Sequence, residues 1–149
     1  MNVAVVCLGN ICRSPMAAAA LRRAVADAGL DDVVEVDSAG TAGYHVGDPA
    51  DRRARATLRS RGYDDTHTAR RFEASDFATT DLVLAMDAAN LADLQRLAPT
   101  LADADKVVLL RGTGDVPDPY YDDTFDEALD LIEAALPDVI ADLRRRTGR

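Results

Sequence analysis

Short apolar runs alternate with longer amphipathic stretches along the chain. Four runs of β-branched and aliphatic residues predict buried strands: residues 3–8, 33–36, 81–87 and 106–110. Stretches with apolar positions at helical spacing predict four helices: residues 14–29, 48–62, 88–97 and 125–136, the last continuing past Pro137. Strands that alternate with helices imply βαβ units. We therefore expect an α/β fold with a four-stranded parallel sheet flanked by helices on both faces.

Residues with strong positional preferences mark the ends of these elements. Ser14 is expected to cap the first helix, with Pro15 in its first turn and Gly29 as its stop. Pro137 is expected to kink or divide the last helix. No linker, internal repeat or low-complexity tract interrupts the 149 residues, so we expect one domain over residues 1–149.

Composition and charge narrow the classes of function. A net charge of −9 argues against a nucleic-acid partner, since such proteins carry a basic face that releases counterions. The arginines at 144–146 and 149 are expected to form a solvated helix end. The chain has neither an apolar run long enough to span a membrane nor a secretory signal. These absences predict a cytoplasmic protein with reduced thiols, although export without a signal stays open.

Both cysteines lie in one segment, VCLGNICRSP, at residues 6–15, directly after the first predicted strand. In the expected fold this segment leaves the carboxyl end of that strand, where ligands bind. Cysteines that merely pack the strand end would explain neither Gly9 nor Arg13. A zinc site needs about four ligands, and only His45 and His67 remain to complete one. A thiol redox pair is a further alternative, although four residues separate these cysteines instead of the usual two.

A fourth explanation uses every part of the segment. The loop would direct backbone N–H groups at an anion, and the positive end of the following helix would support them. Arg13 would add a planar fork that matches two phosphate oxygens. The same positive field favours a thiolate, so the loop would also activate Cys7 as a nucleophile. The segment therefore predicts a phosphate-binding loop after strand 1 of the expected flavodoxin-like sheet.

The motif CLGNICRSP resembles the signature loop of the low molecular weight protein tyrosine phosphatases, Cys-x5-Arg-Ser near the amino end of the chain. Other segments resemble the family in family order: DSAGT at 37–41, HTAR at 67–70, DLVLAMDAAN at 81–90 and VPDPYYD at 116–122. The resemblance covers nearly the whole chain. It implies hydrolysis of phosphotyrosine proteins and aryl phosphates to inorganic phosphate, with Cys7 as nucleophile, Arg13 as clamp, and no cofactor or metal.

Cleavage of an aryl ester calls for a positioned acid, because a phenol has a pKa of about 10. By itself the Asp-Pro pair at Asp118 would predict a turn. The resemblance implies that Asp118 protonates the leaving oxygen and then activates water. It also implies an aromatic wall for phosphotyrosine formed by Tyr44, Tyr120 and Tyr121, with packing of Tyr121 beneath its own loop as the alternative.

The remaining matches surround the loop. The resemblance implies that six positions line or shape the phosphate site: Leu8, Gly9, Asn10, Ile11, Cys12 and Ser14. Ser38 and His67 match supporting residues. Asp87 matches a family residue near the loop, although an aspartate that caps its own helix would look the same.

Two further features concern redox chemistry and the acid loop. In the family, Cys12 can form a disulfide with Cys7, which implies a redox-sensitive enzyme protected from irreversible oxidation. Asp122 departs from the glycine that usually follows the two tyrosines, so the turn there is expected to differ.

Three other functions stay open for a loop of this kind. Arsenate reductases that share it pass oxidation to later cysteines, and none follows Cys12 here. Phosphocarrier subunits lack the arginine and the acid loop, and a silent phosphoprotein-binding module would need a distorted loop. We expect a monomer or a weak dimer.

Overall fold

The computed structural model describes all 149 residues and contains one sheet of four parallel strands. The strands are β1 (Asn2–Cys7), β2 (Glu35–Gly40), β3 (Leu82–Ala85) and β4 (Val107–Leu109), in the order β2-β1-β3-β4. Strand order reverses between β1 and β3, so the loop that leaves β1 lies at the point where such folds bind ligands. The predicted flavodoxin-like sheet is confirmed.

Helices cover both faces of the sheet. They are α1 (Arg13–Asp27), α2 (Arg52–Ser60), α3 (Ala88–Leu97), α4 (Leu101–Ala104) and α5 (Phe125–Thr147), with a 3₁₀ helix at Ala74–Ala78. Alternate residues of β1 point to opposite faces: Val3 and Val5 pack with α1 and α5, whereas Ala4 and Val6 pack with α3 and the 3₁₀ helix. Two apolar cores thus hold β1 rigidly from both sides.

The second strand differs from its prediction of residues 33–36. Val33 and Val34 form the turn after α1, and the backbone N–H groups of both donate to the Leu30 carbonyl. The strand begins instead at Glu35 and ends at Gly40. The apolar pattern did not indicate these bounds, because this edge strand is largely polar and only its last three residues are buried.

The start of α1 also differs from its prediction. The residue before the helix is Cys12, and Ser14 lies inside the first turn with its hydroxyl 3.0 Å from Cys7 Sγ. Pro15 lies in the first turn as expected, where its missing N–H costs nothing. Gly29 follows the helix with a positive φ of 70°, as its predicted stopping role requires.

Pro137 does not divide the last helix, which runs unbroken from Phe125 to Thr147. Pro137 lies on the exposed side, while Leu136 and Val139 are buried against the core. Burial of this face holds the helix together across the missing N–H. None of the helices combines the length and the apolar character that crossing a membrane requires.

Candidate active site

The β1–α1 loop, residues 7–14, presents a row of backbone donors. None of the backbone N–H groups of residues 8–14 has a hydrogen-bond acceptor within the protein. The last three belong to the start of α1, where no side chain caps the helix. Free N–H groups at a loop and a helix N-terminus form a site for an anion. The local geometry is therefore that of a phosphate-binding loop.

Asn10 fixes the shape of this loop from inside. Its backbone is left-handed, with φ of 59°, and the residue is fully buried. Its side-chain nitrogen donates to Ser14 Oγ (2.8 Å) and Ser38 Oγ (3.1 Å), and its side-chain oxygen accepts from the Arg70 N–H (2.9 Å). His67 Nε2 donates to the Asn10 carbonyl at 2.6 Å. Ser38 and His67 thus lie where supporting residues were predicted.

β2 supports the loop by a close approach of two backbones. Gly40 pairs with Cys7 in the sheet, and the next two residues donate backbone N–H groups to the carbonyls of Cys7 (2.9 Å) and Leu8 (3.0 Å). A Cβ on Gly40 would lie 2.7 Å from the Leu8 carbonyl oxygen. Only glycine therefore allows this approach.

Cys7 ends β1 at the base of the loop and is buried. Ser14 Oγ accepts from Asn10, and its own hydroxyl proton has two acceptors within reach, Cys7 Sγ at 3.0 Å and the Ala39 carbonyl at 3.4 Å, of which Cys7 is the nearer. A hydrogen bond of this kind stabilises a thiolate. Geometry therefore favours Cys7 as the nucleophile.

Arg13 crosses the base of the site and is almost completely buried, with 4% of its side chain exposed. Its Nη1 donates to Asp87 Oδ2 (2.6 Å) and to the Val116 carbonyl (2.9 Å). Burial opposes the charge, but the hydrogen bond to Asp87 and the nearby Cys7 outweigh it and raise the pKa of the guanidinium above its ordinary value. Arg13 is a fixed cation beside the sulfur.

Asp87 fulfils both of the alternatives that its sequence position left open. Its Oδ1 accepts from the Asn90 N–H (2.7 Å) and caps α3, while its Oδ2 pairs with Arg13. One carboxylate can do both because its two oxygens point to different partners. Asp87 therefore orients Arg13 from the end of a helix.

Asp118 reaches the same site from the other end of the chain. Its Oδ2 lies 4.0 Å from Arg13 Nη2, and its Oδ1 accepts from the Tyr120 N–H at 3.1 Å. Its side chain is 37% exposed, so it remains open to solvent and to an incoming ligand. The predicted acid therefore faces the predicted nucleophile across one cleft.

That cleft has a volume of about 230 Å³ and carries aromatic side chains at its mouth. Its lining consists of Cys7, Leu8, Gly9, Ile11, Cys12, Arg13, Tyr44, His45, Asp118, Tyr120 and Tyr121. Tyr44 and Tyr121 are 76% and 88% exposed, so Tyr121 does not pack beneath its loop. The rings of Tyr120 and Tyr121 meet edge to face, with centroids 5.1 Å apart.

Cys12 lies beside Cys7 in the lining, and both are free thiols. Burial, and then the negative charge of Asp51, raise the pKa of Cys12 to about 12. Cys12 is therefore a neutral thiol at physiological pH. The structure contains no group of three or more His, Cys, Asp or Glu side chains that could hold a metal ion.

Three residues at the site were not predicted to act there. His45 packs its ring 3.3 Å from the position that a Cβ on Gly9 would occupy. Asp51 donates its backbone N–H to the Ile11 carbonyl (2.8 Å), and Arg53 donates to the Tyr120 carbonyl (3.0 Å). The proximity of His45 to Tyr44 in a glycine-flanked loop was a usable signal, but the contact of Arg53 across 67 residues left none in the sequence.

Comparison with known proteins gives one consistent result. The model of the family described as low molecular weight phosphotyrosine protein phosphatase matches residues 2–148. A low molecular weight protein-tyrosine-phosphatase of Streptomyces coelicolor is 51% identical, over 97% of this chain and 94% of the relative. The human low molecular weight phosphotyrosine protein phosphatase is 40% identical over 80% of each chain. A crystal structure of a protein tyrosine phosphatase from Entamoeba histolytica, with Hepes in its active site, superposes with a TM-score of 0.93 at 35% identity over 99% of both chains. The chain belongs to the low molecular weight phosphotyrosine protein phosphatase family.

Proposed function

We propose that this protein hydrolyses phosphotyrosine in protein substrates, through a phosphocysteine at Cys7, and releases inorganic phosphate. One observation carries the proposal: a buried sulfur, the free N–H groups of residues 8–14, the Arg13 guanidinium and the Asp118 carboxyl meet at one cleft. They supply a nucleophile, an anion site and a proton donor, which are the parts that cleavage of a phosphomonoester needs. Membership of the phosphatase family supports the same activity.

The first step transfers the phosphoryl group to the enzyme. The Cys7 thiolate attacks phosphorus, the S–P bond forms, and the P–O bond to the tyrosine ring breaks. The electron pair of that bond stays on the phenolic oxygen, and protonated Asp118 gives this oxygen its proton. The loop N–H groups and Arg13 hold the three non-bridging oxygens of the phosphoryl group, which are transferred with phosphorus and carry most of the negative charge.

The second step returns the enzyme to its starting state. A water molecule attacks phosphorus and gives a proton to the Asp118 carboxylate. The S–P bond breaks, its electron pair returns to sulfur, and inorganic phosphate leaves. Asp118 thus acts as acid and then as base, and Asp87 keeps Arg13 in place throughout.

The aromatic mouth of the cleft favours an aryl substrate. Tyr44, Tyr120 and Tyr121 would hold a phenyl ring at the mouth while its phosphate reaches the loop below. A phosphoserine side chain is shorter, so its phosphate would not reach Cys7 while the peptide backbone stays outside the wall. This depth supports selection of phosphotyrosine.

The chemistry also bears on redox state and location. A thiolate nucleophile is oxidised readily, and peroxide would convert Cys7 to a sulfenic acid with the release of water. The Cys12 sulfur would then attack that sulfur and form an S–S bond, while its proton passes to the departing hydroxyl and leaves with it as a second water. A thiol reductant would reverse this step. Function as a reduced thiol suits the cytoplasm.

Replacement of the nucleophile tests the proposed function. Cys7→Ser is expected to reduce turnover of a phosphotyrosine peptide by more than about 10⁴-fold, because a serine hydroxyl lacks an adjacent base here. Binding of inorganic phosphate, measured by titration calorimetry, should persist because the N–H groups and Arg13 remain. Turnover of the variant near the wild-type rate would contradict the proposal.

A further inference from the structure

The segment that carries Asp118, residues 117–124, is held by few contacts. We call it the acid segment. The first helical bond of α5 reaches its end, where Ala128 donates to the Thr124 carbonyl. Every other hydrogen bond that reaches the acid segment from elsewhere in the chain comes from Arg53.

Arg53 contacts the middle of this segment in two ways: one guanidinium nitrogen donates hydrogen bonds to it, and the guanidinium plane lies near aromatic rings. Nη1 donates to the Tyr120 carbonyl at 3.0 Å and to the Asp123 carboxylate. The guanidinium carbon lies 5.1 Å from the centroid of the Tyr120 ring and 4.7 Å from that of Phe125, within the range of cation–π attraction. Arg53 therefore fixes both the backbone and the ring of Tyr120.

Tyr120 links the contacts of Arg53 to Asp118. The Tyr120 N–H donates to Asp118 Oδ1 at 3.1 Å, so one residue carries the contact from Arg53 on its carbonyl and the contact to Asp118 on its N–H. A shift of the Tyr120 backbone would therefore turn the Asp118 carboxyl away from its present direction.

The other nitrogens of Arg53 are held by the start of α2. Asp51 accepts from Arg53 Nε (3.1 Å) and Nη2 (3.2 Å), which is a two-point carboxylate–guanidinium contact of fixed geometry. The Asp51 backbone N–H donates to the Ile11 carbonyl at 2.8 Å. The same short stretch is thus bonded to the β1–α1 loop on one side and, through Arg53, to the acid segment on the other.

We propose that Arg53 is a positioning residue that sets Asp118 against the β1–α1 loop, through Tyr120 on one side and Asp51 on the other. This role rests on the proposed function, because it concerns the distance between the proton donor and the phosphoryl group. Arg53 is not among the residues that line the cleft, so it acts through Tyr120 and not on the substrate. Its part in the reaction is to hold the acid in line.

The test compares two aryl phosphates in an Arg53→Ala variant. Phenyl phosphate needs protonation of its leaving oxygen far more than p-nitrophenyl phosphate does. Without Arg53, Asp118 should no longer be held in position, and kcat/KM for phenyl phosphate should fall by about 10- to 100-fold, as expected for a misplaced catalytic group. The fall in kcat/KM for p-nitrophenyl phosphate should be much smaller. Arg53→Lys keeps the charge without the fork and should recover only part of the difference.

A neighbouring arginine supplies the matched control. Arg52 lies in the same helical turn and is exposed, and its side chain makes no hydrogen bond or ion pair, so Arg52→Ala removes the same charge without the contacts. It should retain the wild-type ratio between the two substrates. Thermal unfolding of each variant would show whether the Arg53→Ala effect reflects a loss of folded protein.

A double substitution separates positioning from a general structural effect. If Arg53 acts through the acid, Arg53→Ala should have almost no further effect on kcat/KM in an Asp118→Ala background. Equal losses for both substrates, or the full loss in that background, would overturn the proposal and would indicate a role in the aromatic wall alone. If wild-type protein failed to cleave either substrate or a phosphotyrosine peptide, the proposed function itself would fail.

Discussion

Asn10 shows how much of this site depends on single side chains. Its left-handed backbone turns the β1–α1 loop, and its amide uses both its donor and its acceptor on three different segments of the chain. A substitution to aspartate would keep the size and lose the donor to Ser14 and Ser38. Ser14 would then accept no hydrogen bond from residue 10, and its hydroxyl could rotate away from Cys7.

The proton donor can be tested at the level of one residue. Asp118→Ala should lower kcat/KM for phenyl phosphate by about 10²- to 10⁴-fold, the usual contribution of general acid catalysis. Steady-state assays with p-nitrophenyl phosphate should show a smaller loss, because that leaving group departs without a proton. Identical losses would show that Asp118 does not protonate the leaving oxygen.

The pair of cysteines gives a second prediction at this scale. Mild peroxide should inactivate the wild-type enzyme, dithiothreitol should restore it, and mass spectrometry should find a Cys7–Cys12 disulfide. In Cys12→Ser no second thiol is available, so oxidation of Cys7 should proceed further and a smaller fraction of the initial activity should return. Equal recovery in both proteins would remove the protective role of Cys12.

At the scale of elements, the extended segment between α2 and the 3₁₀ helix packs against the β1–α1 loop. His67 and the Arg70 N–H both bond to Asn10 from this segment. Burial lowers the pKa of His67 below its ordinary value, although the hydrogen bond to Asn10 acts in the opposite direction. The segment therefore holds the loop with a histidine that is neutral at pH 7.

This lowered pKa predicts a dependence of stability on pH. Unfolding restores His67 to an ordinary pKa of about 6.5, so as pH falls through that value the unfolded chain takes up a proton before the folded one does. The wild-type free energy of unfolding should thus fall more between pH 7.5 and pH 5.5 than that of His67→Gln. Urea titrations at both pH values measure it, and parallel losses would contradict the assignment.

Elements differ in how far sequence predicts them. β1, β3 and α3 were located closely because their apolar patterns are unbroken, and α1 was located closely except for its cap. The boundaries of β2 were wrong because an edge strand needs few apolar residues. The continuity of α5 past Pro137 depends on burial against other elements, which local propensity does not contain.

The residues of the candidate site also differ in how far the sequence predicts them. Residues 7–14 form one contiguous motif, so their spacing alone predicted an anion-binding loop with a nucleophile. Asp118 was a plain Asp-Pro turn until resemblance to a family gave it a role. Arg53 and Asp51 were not predicted because their contacts at the site arise only after folding, whereas His45 was missed although it lies next to Tyr44 in the sequence.

The net charge of the whole molecule repels an anionic substrate, whereas the cleft attracts one. A charge of −9 repels a dianionic phosphate at long range, but salt screens this beyond about 8 Å at physiological ionic strength. Inside that distance the Arg13 guanidinium and the free N–H groups dominate. Overall acidity therefore affects approach to the protein more than capture in the cleft.

The wide separation of Cys7 and Asp118 in sequence has a consequence for biosynthesis. The amino-terminal third of the chain emerges from the ribosome with the sulfur, the loop and Arg13, but the partners that orient Arg13 lie at Asp87 and Val116. A nascent chain that stops short of residue 118 has the Cys7 thiol without its proton donor. Catalytic competence thus arises late, when the last third of the polypeptide docks, and the appearance of turnover reports completed folding.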